Sequence, residues 1–487
     1  MEPVKKEDLF KALTEIDDDL VKNACEYGEK RAPKRKTWLY IGAFAAVFLT
    51  ALIVIPLING KLNRNGDGYP SGVKKVLAAY PTPLVADSSG WEYYESSEFN
   101  KWQKDRLEKM RLSEGTERGL YPYCMNIMQE LLGNGDDSAV CSPVNMYIAF
   151  SMLAEVTDGN TRRQILDMLG VSDVQALRNN IKAIWESNYN DSPLGTCVLA
   201  NSIWLSDDSK YVPETLNTLA EQYYASSFYG RPGTEAFDEA LRHWVDENTK
   251  GLLSDYVKDF KSDEKAILEI LSTLYYKAVW TSMFKAEETT KGTFHGRNGD
   301  TVSDMMHRYY MGDAYGSDKF TAISLGLSDN ARMFFFLPDE GVEVEELLYD
   351  TDVFMALNHD TAISEGLYNH CIITLSLPKF KVSAKTDLVE TMKKLGITDA
   401  FDKNISDFTP LTTESDEIYV SQAEHAALLE IDEDGVKGAA YTAIEAANES
   451  LPNEKLDITF DRPFLFILKG YDGSILFAGV VRNIEED

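Results

Sequence analysis

Cysteine is scarce in this chain, five in 487 residues with no paired spacing. That excludes a disulfide framework and a four-ligand zinc site, and Cys124, Cys141, Cys197 and Cys371 are read as small core or surface residues. Positive charge is also short: 48 Lys and Arg stand against 79 Asp and Glu, a net charge of −31 with a pI near 4.6. Binding to phosphate or sulfate needs clustered basic side chains, so no nucleic-acid partner is expected, nor a heparin-like polyanion. Catalytic signatures are missing as well. There is no Gly-x-Ser-x-Gly elbow, no His-Glu-x-x-His, no Gly-x-x-x-x-Gly-Lys loop, and the six His, at 243, 295, 307, 359, 370 and 425, are scattered. Glu430-Ile-Asp432-Glu-Asp434-Gly435 imitates the start of a calcium loop, but its twelfth position is Tyr441 where a bidentate Glu is needed. No enzyme, metal or cofactor is expected.

What the chain does have is a 44% hydrophobic fraction, that of a globular protein with a sizeable core, and one unusual segment. From Glu433 to Leu468 an acidic turn ending in Gly435 leads into small residues, then a polar stretch, then the apolar run Phe464–Leu468. At period two, one side holds Val436, Gly438, Ala440, Thr442, Ile444 and Ala446; the other holds Lys437, Ala439, Tyr441, Ala443, Glu445 and Ala447. Both charges and the aromatic fall on the second side, the pattern of a strand with one buried and one wet face. The same Ala and Glu content suits a short surface helix, and the segment taken alone favours the helix.

Its flanks reverse that. Val420-Ser-Gln-Ala-Glu-His425-Ala-Ala-Leu-Leu-Glu-Ile-Asp-Glu-Asp-Gly435 upstream, Ile458-Thr-Phe-Asp-Arg-Pro463-Phe-Leu-Phe-Ile-Leu468 downstream and Ile475-Leu-Phe-Ala-Gly479-Val-Val-Arg-Asn483 at the end resemble the serpins. Cys141-Ser-Pro-Val-Asn-Met-Tyr-Ile-Ala-Phe-Ser-Met-Leu153, Leu199-Ala-Asn-Ser-Ile-Trp204, Trp244-Val-Asp-Glu-Asn-Thr-Lys-Gly251, Leu274-Tyr-Tyr-Lys-Ala-Val-Trp280 and Leu377-Pro-Lys-Phe380 follow in family order. The resemblance covers residues 115–487. It implies an α+β fold of three β-sheets surrounded by eight or nine helices, with an exposed reactive centre loop.

Ahead of that region, residues 38–58 carry no charge, long enough for one transmembrane helix at about 1.5 Å per residue. Arg31, Lys34, Arg35 and Lys36 precede it, which puts residues 1–37 in the cytoplasm and the rest outside. Ile55-Pro-Leu-Ile-Asn-Gly60 offers no small-x-small cleavage site, so an anchor is expected and not a cleaved signal. Residues 59–114, rich in Gly, Pro, Ser and Asn, read as an extracellular stalk. The whole suits a bacterial-type serpin anchored in the cell membrane, its domain at the bacterial cell surface.

The resemblance also implies a mechanism: a serine protease cuts the loop, the loop enters the central sheet as a new strand, and the protease is trapped covalently. Counting from Glu433 places the reactive bond at Glu449-Ser450, with Ala446, Ala447, Asn448 and Leu451 as alternatives. Glu449 suggests a Glu-preferring target, and Ala443-Ile-Glu-Ala-Ala447 an elastase-like one. The hinge would comprise Glu433, Gly435, Val436, Gly438, Ala439, Ala440, Tyr441 and Thr442. Tyr441 and Val436 depart from the family's small or hydroxyl residues there. Lys379, Trp280 and Glu433 match the group at the loop's entry. Ser142, Asn145, Ser272 and His425 match the polar cluster beneath the opening strands, with the family's amide and hydroxyl exchanged between positions 145 and 272. A compensating swap facing His425 is expected. The alternative is a non-inhibitory serpin used as a binding or carrier module.

Overall fold

The computed structural model describes residues 116–192, 195–264, 268–357, 368–412, 414, 418–420, 423–436 and 454–485, with 73–76 and single positions at 69, 70, 78, 101, 104, 105 and 108 before them. Contacts divide the chain into Met1–Ser71 and Gly72–Asp487. Only Tyr69 and Pro70 are described in the first unit, so the expected tail at 1–37 and span at 38–58 lie outside the described residues. Among the described residues no helix is long and apolar enough to cross a membrane.

The second unit opens with strand β1 (Lys74–Val76) and helix α1 (Thr116–Leu132), followed by β2 (Ala139–Cys141). Next comes α2 (Pro143–Glu155), whose start is written in the sequence: the Ser142 hydroxyl accepts the Asn145 N–H at 3.4 Å, and Pro143 occupies the first turn, where no N–H is needed. Nearly every residue of α2 is buried, so it carries no polar face. Helices α3 (Gly159–Leu169) and α4 (Val174–Asn188) lead to β3 (Asn190–Ser192), β4 (Gly195–Ser206), α5 (Pro213–Gln222) and β5 (Ala225–Gly230). Thr234 then caps α6 (Glu235–Asn248) by accepting the Phe237 N–H, and the short α7 (Ser254–Val257) follows.

The remaining elements are mostly strands. They are β6 (Leu268–Val279), β7 (Thr290–Gly296), β8 (Gly299–Gly316), β9 (Phe320–Gly326), β10 (Arg332–Pro338), helix α8 (Thr351–Leu357), β11 (Tyr368–Pro378) and β12 (Phe380–Asp387). After α9 (Val389–Lys394) come β13 (Glu424–Ile431), β14 (Gly435–Val436), β15 (Lys455–Thr459), β16 (Phe464–Lys469) and β17 (Ile475–Val481).

One sheet runs β1-β5-β4-β6-β14-β13-β12, with β3 on β4; the other runs β15-β11-β8-β9-β10-β16-β17-β2, with β7 on β8. Three sheets were expected, and the described strands form two. The reason is β8, which pairs with β7 over Gly299–Met305, with β11 over Met305–Tyr315 and with β9 over Ala314–Gly316. One unbroken strand thus joins what would otherwise be two sheets. Within the expected stalk of 59–114, Lys74–Val76 pairs antiparallel with Ser227–Tyr229 and Ala78 donates its N–H to the Ser226 hydroxyl. Backbone donors at the free edge of β5 recruit that piece.

The apolar runs are buried as strands. Phe464–Leu468 is fully buried, and Phe464 sits 5.3 Å from Phe460, 5.5 Å from Phe380 and 6.3 Å from Phe335 between ring centroids. The first two are edge-on, and such contacts add about 0.5–1.5 kcal/mol each beyond area burial. Cys124, Cys141, Cys197 and Cys371 are free and buried, none within a described disulfide.

Candidate functional site

The site forms where β13 turns back through Asp432–Gly435 into β14. The Asp432 carboxylate accepts N–H bonds from Asp434 (2.9 Å) and Gly435 (3.1 Å), and the Asp432 N–H reaches Gly435 O at 3.1 Å. A side chain closing its own turn in this way is occupied by the backbone. Gly435 is required by crowding: a Cβ there would sit 2.3 Å from Ala278 O and 2.7 Å from Val279 Cα. The chain can therefore press into the sheet, where Gly435 pairs with Val279 and Val436 with Ala278 on β6, and Val436 also pairs with Ile431 on β13.

The turn is fastened from outside. Lys379 Nζ lies 3.1 Å from Glu433 Oε2, and Thr289 donates its hydroxyl to Glu433 Oε1 at 2.9 Å. Partial burial would raise the Glu433 pKa, yet the bonds from its own backbone, Thr289 and Lys379 hold it below the usual carboxylate range. Partial burial pulls the Lys379 pKa down, but Glu433 outweighs it and the net shift is upward. Trp280 is 1% exposed; its indole N–H donates to Asp432 O at 2.9 Å and its backbone N–H to Asp434 O at 2.9 Å. Lys379, Trp280 and Glu433 thus meet around one turn. Thr289 is a further partner, and no motif marks it in the sequence.

Below the turn lies the polar cluster. Ser142 donates its hydroxyl to Leu476 O at 2.6 Å and its N–H to His425 Nε2 at 3.1 Å. Asn145 Nδ2 donates to Ser272 O at 3.0 Å, while the Ser272 hydroxyl contacts Asn145 Oδ1 and also Asn201 Oδ1, the latter at 2.7 Å. So the exchanged amide and hydroxyl do meet each other. They do not face His425, a correction to the expected arrangement: the imidazole accepts from the Ser142 backbone. Asn201, held by its own bond to Tyr223 O at 2.9 Å, completes the pair. Its signal was an amide inside the apolar run Leu199–Trp204. Burial lowers the His425 pKa to about 4, so the ring is neutral and free to accept.

Between these two clusters the sheet is open. β6 is paired to β4 from Leu268 to Ala278, but on its other side β14 is its one partner strand among the described residues, and β13 is reached only through β14. Cavities of about 110 Å³ and 60 Å³ lie along this gap, the first lined by Leu241, Leu271, Thr273 and Ala426, the second by Phe150, Leu268, Ile270 and Met392. Ile270 of β6 borders both. Val436 is 2% exposed and belongs to the main core. Gly438, Ala439, Ala440, Tyr441 and Thr442 of the expected hinge, and Glu449 and Ser450 of the expected reactive bond, lie outside the described residues.

Comparison with known proteins fits this geometry. The family model described as "Serpin (serine protease inhibitor)" matches residues 120–484. Alpha-1-antiproteinase 2 of Equus caballus is 30% identical over 354 residues, covering 70% of this chain and 80% of its own length. Alpha-1-antitrypsin of Sus scrofa is 28% identical over 358 residues, covering 70% of this chain and 80% of its own. Among solved structures, the thermophilic serpin tengpin in its native state superposes with a TM-score of 0.66 at 20% identity, covering 75% of this chain and 93% of that one. Mouse protein-Z dependent protease inhibitor gives 0.68 at 18% identity, covering 78% and 99%. The fold, the order of motifs and a family match running from residue 120 to 484 establish that this chain belongs to the serpin family of serine protease inhibitors.

Proposed function

We propose that this chain is an inhibitory serpin acting as a suicide substrate. A protease serine hydroxyl attacks the carbonyl of the residue before the cut, Glu449 in the first reading; the bond to Ser450 breaks and the Ser450 amine leaves. The acyl-linked protease is then carried along as the segment after Val436 enters the β6–β13 gap. The single observation that carries this reading is Val436 itself, already paired on both sides and buried at the mouth of an otherwise unpaired gap. Continued at period two, Gly438, Ala440, Thr442, Ile444 and Ala446 share its core face, with no charge, Pro or large ring among them. Each inserted residue costs about 1–2 kcal/mol of backbone entropy. Hydrogen bonds return about 0.5–1.5 kcal/mol each, so apolar burial on that face tips the balance.

The target class follows the relatives named antiproteinases, and the Ala-rich approach to the cut favours an elastase-like pocket over a Glu-preferring one. Residues 38–58 anchor the chain by this proposal, N-terminus in the cytoplasm and inhibitory domain outside. The test is to incubate the full chain with a panel of serine proteases and look for a covalent complex that survives SDS, mapping the cut by mass spectrometry. Cleavage without complex, and without a rise in Tm, would instead favour a non-inhibitory binding module.

A further inference from the structure

The larger of the two cavities beside β6 has a place for one specific residue of this chain. It is bordered on β6 by the run from Glu269 to Thr273, and is roofed by Leu241 and Val245 of α6 and by Leu253 and Phe260 near α7. Its volume is about 110 Å³, within reach of the roughly 150 Å³ at which an apolar cavity takes up benzene. The site is also unfinished. Thr273 Oγ1 and Glu269 Oε2 are buried there with no hydrogen-bond partner, and unpaired buried polar atoms are uncommon in a completed fold.

The register names the occupant. β14 ends at Val436 on the rim of the gap, residues 437–453 lie outside the described residues, and β15 starts at Lys455. Stepping the pairing of Val436 with Ala278 five residues along β6 brings position 441 opposite Thr273. Stepping the pairing of Val436 with Ile431 five residues along β13 brings it opposite Ala426. Both Thr273 and Ala426 line the cavity, and directly opposed residues present their side chains on the same face of a sheet. From 437 to 446 the chain has one aromatic residue, and it is Tyr441.

We propose that on loop insertion Tyr441 lodges its ring in the cavity between the sheet and α6–α7, so that this side chain anchors the inserted strand to the helices above it. The proposal rests on the loop-insertion reading. The small side chain of Ala426 leaves room beside the ring, and the helix side supplies the apolar surface that an aromatic ring buries. The one aromatic residue of the segment 437–446 then has a stabilising role in the inserted state.

The test uses the full chain as wild type, Tyr441→Phe and Tyr441→Ala, each melted before and after limited cleavage beyond residue 446, the cut being verified by mass spectrometry. All three should melt alike before cleavage. After it, the wild type and Tyr441→Phe should both gain Tm, and Tyr441→Ala should gain less by roughly 2–4 °C. An equal gain in Tyr441→Ala overturns the proposal while leaving insertion intact. No gain in the wild type overturns insertion itself and this proposal with it. Light scattering that shows cleaved dimers or longer chains assigns the cavity to a second copy's loop and also overturns docking within one chain.

Discussion

Val436 stands directly opposite Ala278 in the central sheet, with Ile431 on its other side, and is 2% exposed. It is therefore already in strand pairing at the point where the described chain enters the loop. Val436→Glu would bring a carboxylate to the core face, at a cost of several kcal/mol for an unpaired buried ion. Because about 1.4 kcal/mol is a factor of ten, complex with a target protease should fall by at least roughly tenfold while loop cleavage continues. Densitometry of complex against cleaved product measures the ratio; an unchanged ratio would show that Val436 need not stay in the sheet.

Asn145 and Ser272 are bonded to each other through both the amide nitrogen and the hydroxyl. Asn145→Ala and Ser272→Ala should each cost about 1–3 kcal/mol through the partner left unsatisfied. The double variant should cost less than the sum, with a coupling of about 0.5–3 kcal/mol in urea titrations. Additive losses would mean that Asn201, the second neighbour of Ser272, takes over the bond.

Much of this architecture was legible in the sequence, and the particular residues show why. Ser-Pro at 142–143 fixes a helix start through local geometry, and Phe464–Leu468 fixes a buried strand through hydrophobicity alone; both signals are short-range. Lys379, Trp280 and Glu433 were legible through motif resemblance, and the structure brings them around one turn. The joining of two sheets by β8 was not, because nothing in an 18-residue strand states where its partners change. Nor was the role of the Ser142 backbone toward His425, since a main-chain donor leaves no mark in residue type. Asn201 stood in plain view as an amide in an apolar run, but its partner lies 71 positions away.

His425 gives the domain a defined acid sensitivity. Its pKa falls from 6.5 in the unfolded chain to about 4 in the folded one, through burial. A depressed pKa means that the unfolded chain binds the proton first. The contribution is complete above pH 6.5 and is lost progressively as pH drops toward 4, on the order of 3 kcal/mol in all. Thermal melts of the wild type should therefore steepen in their pH dependence across that window, and His425→Gln should flatten it. A slope unchanged by His425→Gln would place the acid sensitivity in the carboxylates.

Glu269 works in the opposite direction, at the alkaline end. It lines the cavity on β6 with Oε2 unpartnered, facing Asp238 of α6, Asp263 from the following loop and Glu424 of β13, and Lys385 of β12, which lines the same cavity, is held by Glu424 at 3.0 Å. Burial first, and then those three carboxylates, raise its pKa from 4.5 to about 8. The folded chain therefore holds a proton that the unfolded chain has released, and stability falls as pH rises from 4.5 through 8. Glu269→Gln keeps the shape and removes the charge. Its Tm should match the wild type near pH 5 and exceed it by a few degrees above pH 8. A gain of equal size at both pH values would trace the effect to packing, and no gain at pH 8.5 would mean that Lys385 turns from Glu424 to neutralise Glu269.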